Sequence, residues 1–167
     1  VISPAKSLNF SSIIDSKVPF TLPFFEEEIK LVNSRLKEFN TNELAKLMNI
    51  SNSLSELNWQ RNQEFSLPFN LENAKQAIFV FNGDVYEGLD IFSFSENEIN
   101  TLQNTLRILS GLYGILKPLD LIQAYRLEMG TKISVSNSKD LYDFWKEKIT
   151  FYLNNELTDN ELFINLA

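Results

Sequence analysis

The 167-residue sequence contains no cysteine and no histidine. The absence of cysteine excludes disulfide bonds, thiolate metal sites and cysteine nucleophiles. The absence of histidine excludes Ser-His-Asp triads, imidazole zinc sites and the commonest general base at neutral pH. No apolar run approaches the roughly 18 residues needed to cross a bilayer, and the first residues lack the basic and apolar regions of a secretory signal. The sequence therefore predicts a cytoplasmic protein with no membrane partner.

The remaining composition is that of an ordinary folded domain. Hydrophobic residues make up 44% of the sequence and charged residues 22%, close to the averages for globular proteins. A chain of this length buries roughly two thirds of the surface that its unfolded form exposes, which is enough for a hydrophobic core. No internal repeat or linker divides the sequence, so residues 1–167 are predicted to form a single domain.

Helical and extended patterns follow one another irregularly, which predicts the α+β class, with a mixed β-sheet wrapped by helices. Five consecutive apolar residues, 77–81, predict a buried central strand. Residues 108–116 are apolar and contain two glycines, which predicts a strand or a tight hairpin, and alternation over 125–129 favours another strand. The last residues, 161–167, also read as a buried strand, so we expect the sequence to be a fragment that lacks a C-terminal part.

Two helix starts have recognisable caps. Thr21 stands before Leu22 and Pro23, and a proline in the first turn is typical of a helix that begins there. Ser95 and Glu98 have the spacing of a capping box, in which each side chain bonds the backbone of the other residue. These signals predict one helix from near residue 22 and another that opens at Ser95.

The charge is unevenly distributed along the chain. Fifteen basic and 22 acidic residues give a formal net charge of −7, which argues against nucleic-acid binding by the chain as a whole, because such proteins normally carry a basic surplus. Residues 103–139, however, contain five basic and two acidic residues and three of the five glycines. Because electrostatic fields are screened over about 10 Å, a local basic patch can attract phosphate groups even on an acidic protein.

Seven short motifs stand in a characteristic order along the sequence. They are Ser3-Pro4-Ala5-Lys6, Gly83-Asp84-Val85-Tyr86-x-Gly88-Leu89, Leu106-Arg107-Ile108-Leu109-Ser110-Gly111-Leu112-Tyr113-Gly114, Pro118-Leu119-Asp120, Tyr125-Arg126-Leu127-Glu128-Met129-Gly130, Leu141-Tyr142-x-Phe144-Trp145 and Asn165-Leu166-Ala167. Each motif alone is weak. The ordered set extends over essentially the whole chain and resembles the YaaA family of bacterial peroxide-stress resistance proteins.

The resemblance implies a cytoplasmic protein that responds to hydrogen peroxide and limits oxidative, iron-linked damage to DNA and protein. It also implies a mixed sheet wrapped by helices, a helix-hairpin-helix-like element, a positively charged cleft and binding of double-stranded DNA without sequence specificity. Family members are longer and continue past the Asn165-Leu166-Ala167 motif into a lysine-rich part. This sequence departs from the family at Ala124, where a proline often stands, and in its acidic balance.

The glycine-containing segment 110–114 is a candidate phosphate-binding turn. Gly111 and Gly114 permit the close approach and the positive φ that a backbone anion-binding nest requires. Hairpins of this kind contact the phosphates of a duplex without reading its sequence. The alternative is a structural tight turn in the core, because two glycines at this spacing are common.

Four cations complete the candidate phosphate site. Arg107, Lys117 and Arg126 flank the glycine segment, and Lys6 lies on a loop after the first extended residues. The planar guanidinium fork of arginine suits phosphate because it binds two oxygens at once. The alternative is internal pairing, above all between Arg126 and Glu128, which alternate along one predicted strand.

A further set of motif residues predicts a polar pocket, which would favour an enzyme of unknown reaction. The set consists of Ser3, Lys6, Asp84, Tyr86, Arg126 and Glu128. Asp84 and Asp120 also read as turn residues that bond their own backbone. An iron-sequestering protein is a third alternative, with Glu128 as an oxygen ligand, although redox iron usually takes nitrogen or sulfur donors. The expectation is a non-enzymatic DNA-associated protein, with no assigned catalytic residue, cofactor or metal ligand; no feature indicates an oligomeric state.

Overall fold

A computed structural model describes all 167 residues, Val1 to Ala167. Seven α-helices, a 3-10 turn and six short strands follow one another irregularly, and the predicted α+β class is confirmed. The helices are α1 (Glu26–Lys37), α2 (Thr41–Met48), α3 (Asn52–Glu64), α4 (Ala77–Val80), α5 (Asp84–Leu89), α6 (Glu96–Thr105) and α7 (Leu141–Glu156). The strands are β1 (Ser7–Leu8), β2 (Lys75–Gln76), β3 (Phe81–Asn82), β4 (Ile108–Ser110), β5 (Gly114–Leu116) and β6 (Leu121–Ile122).

The strands pair in three separate antiparallel ribbons: β1 with β3, β2 with β6, and β4 with β5. Isolated parallel bridges join Ile2 to Ile108 and Thr21 to Asp120. The strands therefore do not join into the one mixed sheet that the sequence predicts. With two or three residues each, they contribute few ladder bonds, and side-chain packing holds the ribbons together.

Residues 77–81 do not form the predicted central strand. Residues 77–80 form one helical turn, α4, which links β2 to β3, and only Phe81 belongs to a strand. All five side chains are buried, which a short helical turn inside the core permits as well as a strand does. A short apolar run does not distinguish the two structures, because both bury it on every side.

Two other strand predictions are also wrong. Residues 125–129 are irregular and have no ladder partner, although Tyr125 and Leu127 are buried. Residues 161–167 form no strand and are exposed throughout, with two backbone hydrogen bonds that join Ile164 and Leu166 to Val1. Their apolar side chains are exposed, so the apolar pattern wrongly predicted a buried strand.

The hairpin over 108–116 and the capping box are confirmed. β4 and β5 pair through Ser110 and Gly114 around a three-residue turn. Ser95 accepts from the Glu98 backbone, and the Glu98 carboxylate accepts from the Ser95 backbone, at the start of α6. The prediction for Thr21 is wrong, because α1 begins only at Glu26 and the Thr21 hydroxyl instead donates to Asp120.

The core is one cluster of 32 buried hydrophobic residues. Trp145 and Tyr113 are its largest fully buried side chains, and α7 places Trp145 against the β4–β5 hairpin. On α7, Leu141 and Tyr152 are buried beside Trp145 as helical spacing predicts. None of the helices combines the length and the apolar character that crossing a bilayer requires. The hairpin and α7 therefore form a rigid base for the motif residues.

Candidate functional site

Most of the sequence motifs meet at a single cavity in the fold, which we call the Lys6–Arg126 cavity. Its volume is about 430 Å³. Its lining consists of residues 3–6, residues 109–111, residues 125–130, Tyr142, Asn165 and Ala167. Five of the seven motifs thus contribute to one concave surface, although they are spread along the whole chain.

Tyr86 holds the loop that contains Ser3 and Lys6 through a hydrogen bond. The Tyr86 hydroxyl donates to the Ser3 carbonyl oxygen at 2.8 Å. Burial raises the pKa of Tyr86 far above its ordinary value, with a smaller contribution from Tyr125, so the phenol keeps its proton and remains a donor. Tyr86 therefore positions the loop and does not itself line the cavity.

The opposite wall is formed by the hairpin and by the irregular segment 125–130. The Ser110 and Tyr125 hydroxyls lie 2.8 Å apart in a hydrogen bond, and Ser110 also accepts from the Tyr113 backbone. Burial raises the pKa of Tyr125 well above its ordinary value, with the Ser110 hydrogen bond acting against it, so this phenol also stays neutral. These bonds fix the segment on which Arg126 and Glu128 are placed.

Lys6, Arg126 and Glu128 form an ion cluster at the cavity. Lys6 Nζ lies 3.0 Å from Glu128 Oε1, and Arg126 Nη2 lies 3.5 Å from the same oxygen. The pairing of Arg126 with Glu128 is the alternative that the sequence left open. The side chains of Lys6 and Glu128 are 65% and 47% exposed, so this pair is worth about 0–1 kcal/mol and an anionic ligand can replace it.

Arg126 has an unused donor. Its side chain is 19% exposed, and its Nε is buried with no hydrogen-bond partner. A buried polar group without a partner is costly, and native structures pair most such groups. Glu128 contacts only Nη2, so the bidentate edge of the guanidinium is half occupied.

Arg107 and Lys117 belong to a different cluster around Glu156. Arg107 Nε and Nη2 lie 2.7 and 2.6 Å from Glu156 Oε2, and Lys117 Nζ lies 2.6 Å from Oε1. Arg107 Nη1 also donates to the backbone carbonyls of Gln103 and Leu106. The four predicted phosphate-binding cations are therefore divided into two pairs, each with its own carboxylate.

Glu156 is expected to stabilise the fold. We predict that Glu156→Gln lowers the free energy of unfolding at neutral pH by about 2 kcal/mol, because Arg107 is only 11% exposed and is left with an uncompensated charge. Urea denaturation measures this effect, and Glu147→Gln on the exposed side of the same helix is the control. Equal stability of the two variants would contradict the structural role.

The effect of Glu156 is also expected to depend on pH. Burial alone raises the pKa of Glu156, but hydrogen bonds from Lys117 and Arg107 outweigh it and lower the pKa below its ordinary value. A lowered carboxylate pKa stabilises the folded state above the unfolded pKa, and this contribution is lost as the pH falls through the folded pKa. The difference between wild type and Glu156→Gln should therefore shrink in acid.

Gly111 and Gly114 are explained by contacts within the protein. A Cβ on Gly111 would lie 2.5 Å from the Leu127 carbonyl oxygen. Gly114 has a φ of +72°, and a Cβ there would lie 2.6 Å from the Trp145 ring. Trp145 Nε1 donates to the Gly111 carbonyl at 2.9 Å. Gly111 also lines the cavity, and its phosphate contact, like that of Gly114, stays a prediction.

The two predicted turn aspartates lie apart from the cavity lining. Asp84 is exposed at the start of α5. Asp120 is buried, with one oxygen accepting from Thr21 and the other from the Lys117 backbone, as expected for a turn residue. No group of three or more acidic side chains is placed to hold a metal ion. Of the predicted polar pocket, Ser3, Lys6, Arg126 and Glu128 therefore meet at one site.

Two residues of the clusters and the cavity were not identified from the sequence. Glu156, the counter-ion of Arg107 and Lys117, lies outside every motif and tens of residues away along the chain, so no local pattern reveals it. Tyr142 lies within a motif but reads as an ordinary residue of an amphipathic helix. In the structure it is 62% exposed and lines the cavity.

The predicted helix-hairpin-helix-like element is not confirmed. The glycine segment turns between β4 and β5, with α6 before the hairpin and irregular backbone after it. A turn between two strands presents a different set of backbone amides from a turn between two helices.

Comparison with known proteins identifies the family. A family model described as peroxide stress protein YaaA matches residues 1–167. The chain is 55% identical to a UPF0246 protein of Flavobacterium psychrophilum and 53% identical to one of Flavobacterium johnsoniae, over all 167 residues and 66% of each relative. A UPF0246 protein of Neisseria meningitidis serogroup C is 47% identical over 169 aligned positions, which cover the whole chain and 65% of the relative.

The chain thus spans about 66% of the length of the first two relatives. These matches extend from one end of the chain to the other and so cover all the positions that line the Lys6–Arg126 cavity. On these grounds the chain belongs to the family of peroxide stress protein YaaA.

Proposed function

We propose that the full-length protein acts in the peroxide stress response by binding the phosphate backbone of double-stranded DNA, and thereby limits oxidative, iron-linked damage to it. The observation that carries this proposal is the convergence of Lys6 and Arg126 at one cavity, with a donor of Arg126 left unpartnered. Their carboxylate partner is half exposed and weakly bound, so a phosphate can take its place.

Because the four cations lie in two separate clusters, fewer of them are proposed to contact phosphate. Arg107 and Lys117 hold Glu156 at distances of 2.6–2.7 Å, and Arg107 is nearly buried. We assign these two residues to the stability of the fold. Lys6 and Arg126 are the pair that we propose to contact phosphate. Contacts of this kind position a protein on DNA without reading its sequence.

The proposal predicts a salt-dependent interaction. Each phosphate that a cation neutralises adds about one unit to the slope of log affinity against log salt concentration. In the full-length protein, Lys6→Ala with Arg126→Ala should therefore reduce this slope by about two units and weaken duplex binding about tenfold or more at low salt. Titration of a short duplex into each variant at several salt concentrations, followed by gel mobility, measures both quantities.

Two variants provide controls. Lys30→Ala with Lys46→Ala removes the same charge from exposed positions on α1 and α2, and it should leave the slope nearly unchanged. Glu128→Gln should strengthen binding several-fold, because it removes the internal competitor of the phosphate. Equal losses in the two double variants, or duplex binding that does not respond to salt, would refute the proposed site.

A further inference from the structure

The Lys6–Arg126 cavity has the size of a small-molecule site. Its volume of about 430 Å³ lies within the range of roughly 300–1,000 Å³ that is typical of ligand pockets. A double helix is convex and keeps its bases stacked inside, so a protein pocket reaches a base only when its nucleotide leaves the stack. A cavity of this shape can admit one whole nucleotide, whereas a duplex can reach it only with its backbone phosphates.

We propose that the cavity binds a single nucleotide, with its phosphate on Lys6 and Arg126 and its base against the apolar wall. The phosphate contact rests on the function proposed above. The proposal that a single nucleotide enters the cavity goes beyond that function. This proposal can be wrong even if the protein binds duplex DNA.

The cationic end of the cavity matches a terminal phosphate. Arg126 offers Nε, which has no partner, and Nη2, which makes only a 3.5 Å contact, and Lys6 adds its ammonium group. A terminal phosphate carries a charge of about −1.5 to −2 and three acceptor oxygens. Glu128 Oε1 contacts both cations and occupies the place of one of those oxygens.

The remainder of the cavity matches a planar ring. Leu109, Leu127 and Met129 contribute apolar lining, and Tyr142 adds an aromatic ring. The Tyr142 ring is 62% exposed although it is adjacent to the core residue Leu141. An exposed aromatic beside a phosphate-binding group is the arrangement that proteins use to stack nucleic-acid bases.

Binding of adenosine 5′-monophosphate to the full-length protein tests the inference. Isothermal titration should give saturable binding of this nucleotide and at least tenfold weaker binding of adenosine, which lacks the phosphate. Inorganic phosphate, which lacks the base, should also bind more weakly. Arg126→Lys should weaken nucleotide binding about tenfold, because it keeps the charge and removes the planar fork.

Tyr142→Leu separates stacking from general packing. It should weaken nucleotide binding severalfold or more, whereas Phe151→Leu, an equally exposed aromatic on the same helix and outside the cavity, should have no effect. Equal binding of adenosine and its 5′-monophosphate would overturn the inference. Equal effects of the Tyr142 and Phe151 variants would overturn it as well.

Competition identifies the source of the nucleotide. The duplex should displace the bound mononucleotide, because both ligands use Lys6 and Arg126. If a short single strand displaces it at a much lower concentration than the matching duplex, the cavity takes an unstacked nucleotide of a DNA strand. If the single strand displaces it no better than the duplex, the cavity takes a free nucleotide; both outcomes support the inference. Salt-dependent duplex binding without any mononucleotide binding would refute the inference alone, and mononucleotide binding without duplex binding would refute the DNA proposal alone.

Discussion

Gly111→Ala is expected to lower the free energy of unfolding by about 3 kcal/mol. The new Cβ would lie 2.5 Å from the Leu127 carbonyl oxygen and 3.1 Å from the Glu128 carbonyl carbon. Both neighbours are backbone atoms, so no side chain can rotate away and the segment itself must move. Because that segment contains Arg126 and Glu128, the same substitution should weaken the proposed phosphate binding at the cavity.

Chemical denaturation of Gly111→Ala beside Gly88→Ala checks this prediction. A Cβ on Gly88 meets nothing within 4 Å, and Gly88 lies within α5, where alanine is the better helix former by about 1 kcal/mol. The control should therefore be neutral or slightly stabilising. A similar, small change in both variants would mean that the hairpin and the 125–130 segment are not in close contact.

The second large effect concerns Asp120. Burial raises the pKa of its carboxyl group from 3.8 to about 6, although hydrogen bonds from Thr21 and Lys117 act in the opposite direction. A raised carboxylate pKa means that the folded state binds more protons than the unfolded state between these two values. Stability from this group is therefore greatest below about pH 4 and is lost as the pH rises to about 6.

Asp120→Asn should abolish this dependence. A shift of this size corresponds to about 3 kcal/mol, so the variant should gain that much relative to wild type between about pH 4 and pH 7. If the variant loses a hydrogen bond, this loss is the same at every pH. It therefore does not change how the stability difference between variant and wild type varies with pH. Urea titrations across this pH range measure it, with Asp159→Asn, on the surface, as a control. A constant difference between Asp120→Asn and wild type would contradict the prediction.

Two local patterns in the sequence predicted the local structure correctly. The capping box at Ser95 depends on two side chains three residues apart, and it forms as expected. The hairpin over 108–116 depends on two glycines within an apolar run, and it also forms. Residues 77–81 were misassigned because burial on every side removes the alternation that distinguishes a strand from a helical turn.

The site was predictable in part. The ordered motifs identified the family and five predicted site residues that meet at the cavity, Ser3, Lys6, Gly111, Arg126 and Glu128. They did not reveal that Arg107 and Lys117 lie in another cluster, since the partner of both is Glu156 at the far end of α7. The number of basic residues in a stretch of sequence therefore does not show whether their side chains lie together in the fold.

The position of Trp145 makes it a natural fluorescent probe of the site. Its indole donates to Gly111, on the cavity wall, and its ring covers Gly114. The only other tryptophan is Trp59 on α3, which is partly exposed. A Trp59→Phe variant would retain one intrinsic fluorophore, buried behind the floor of the site, whose emission would report on the hairpin without an added label.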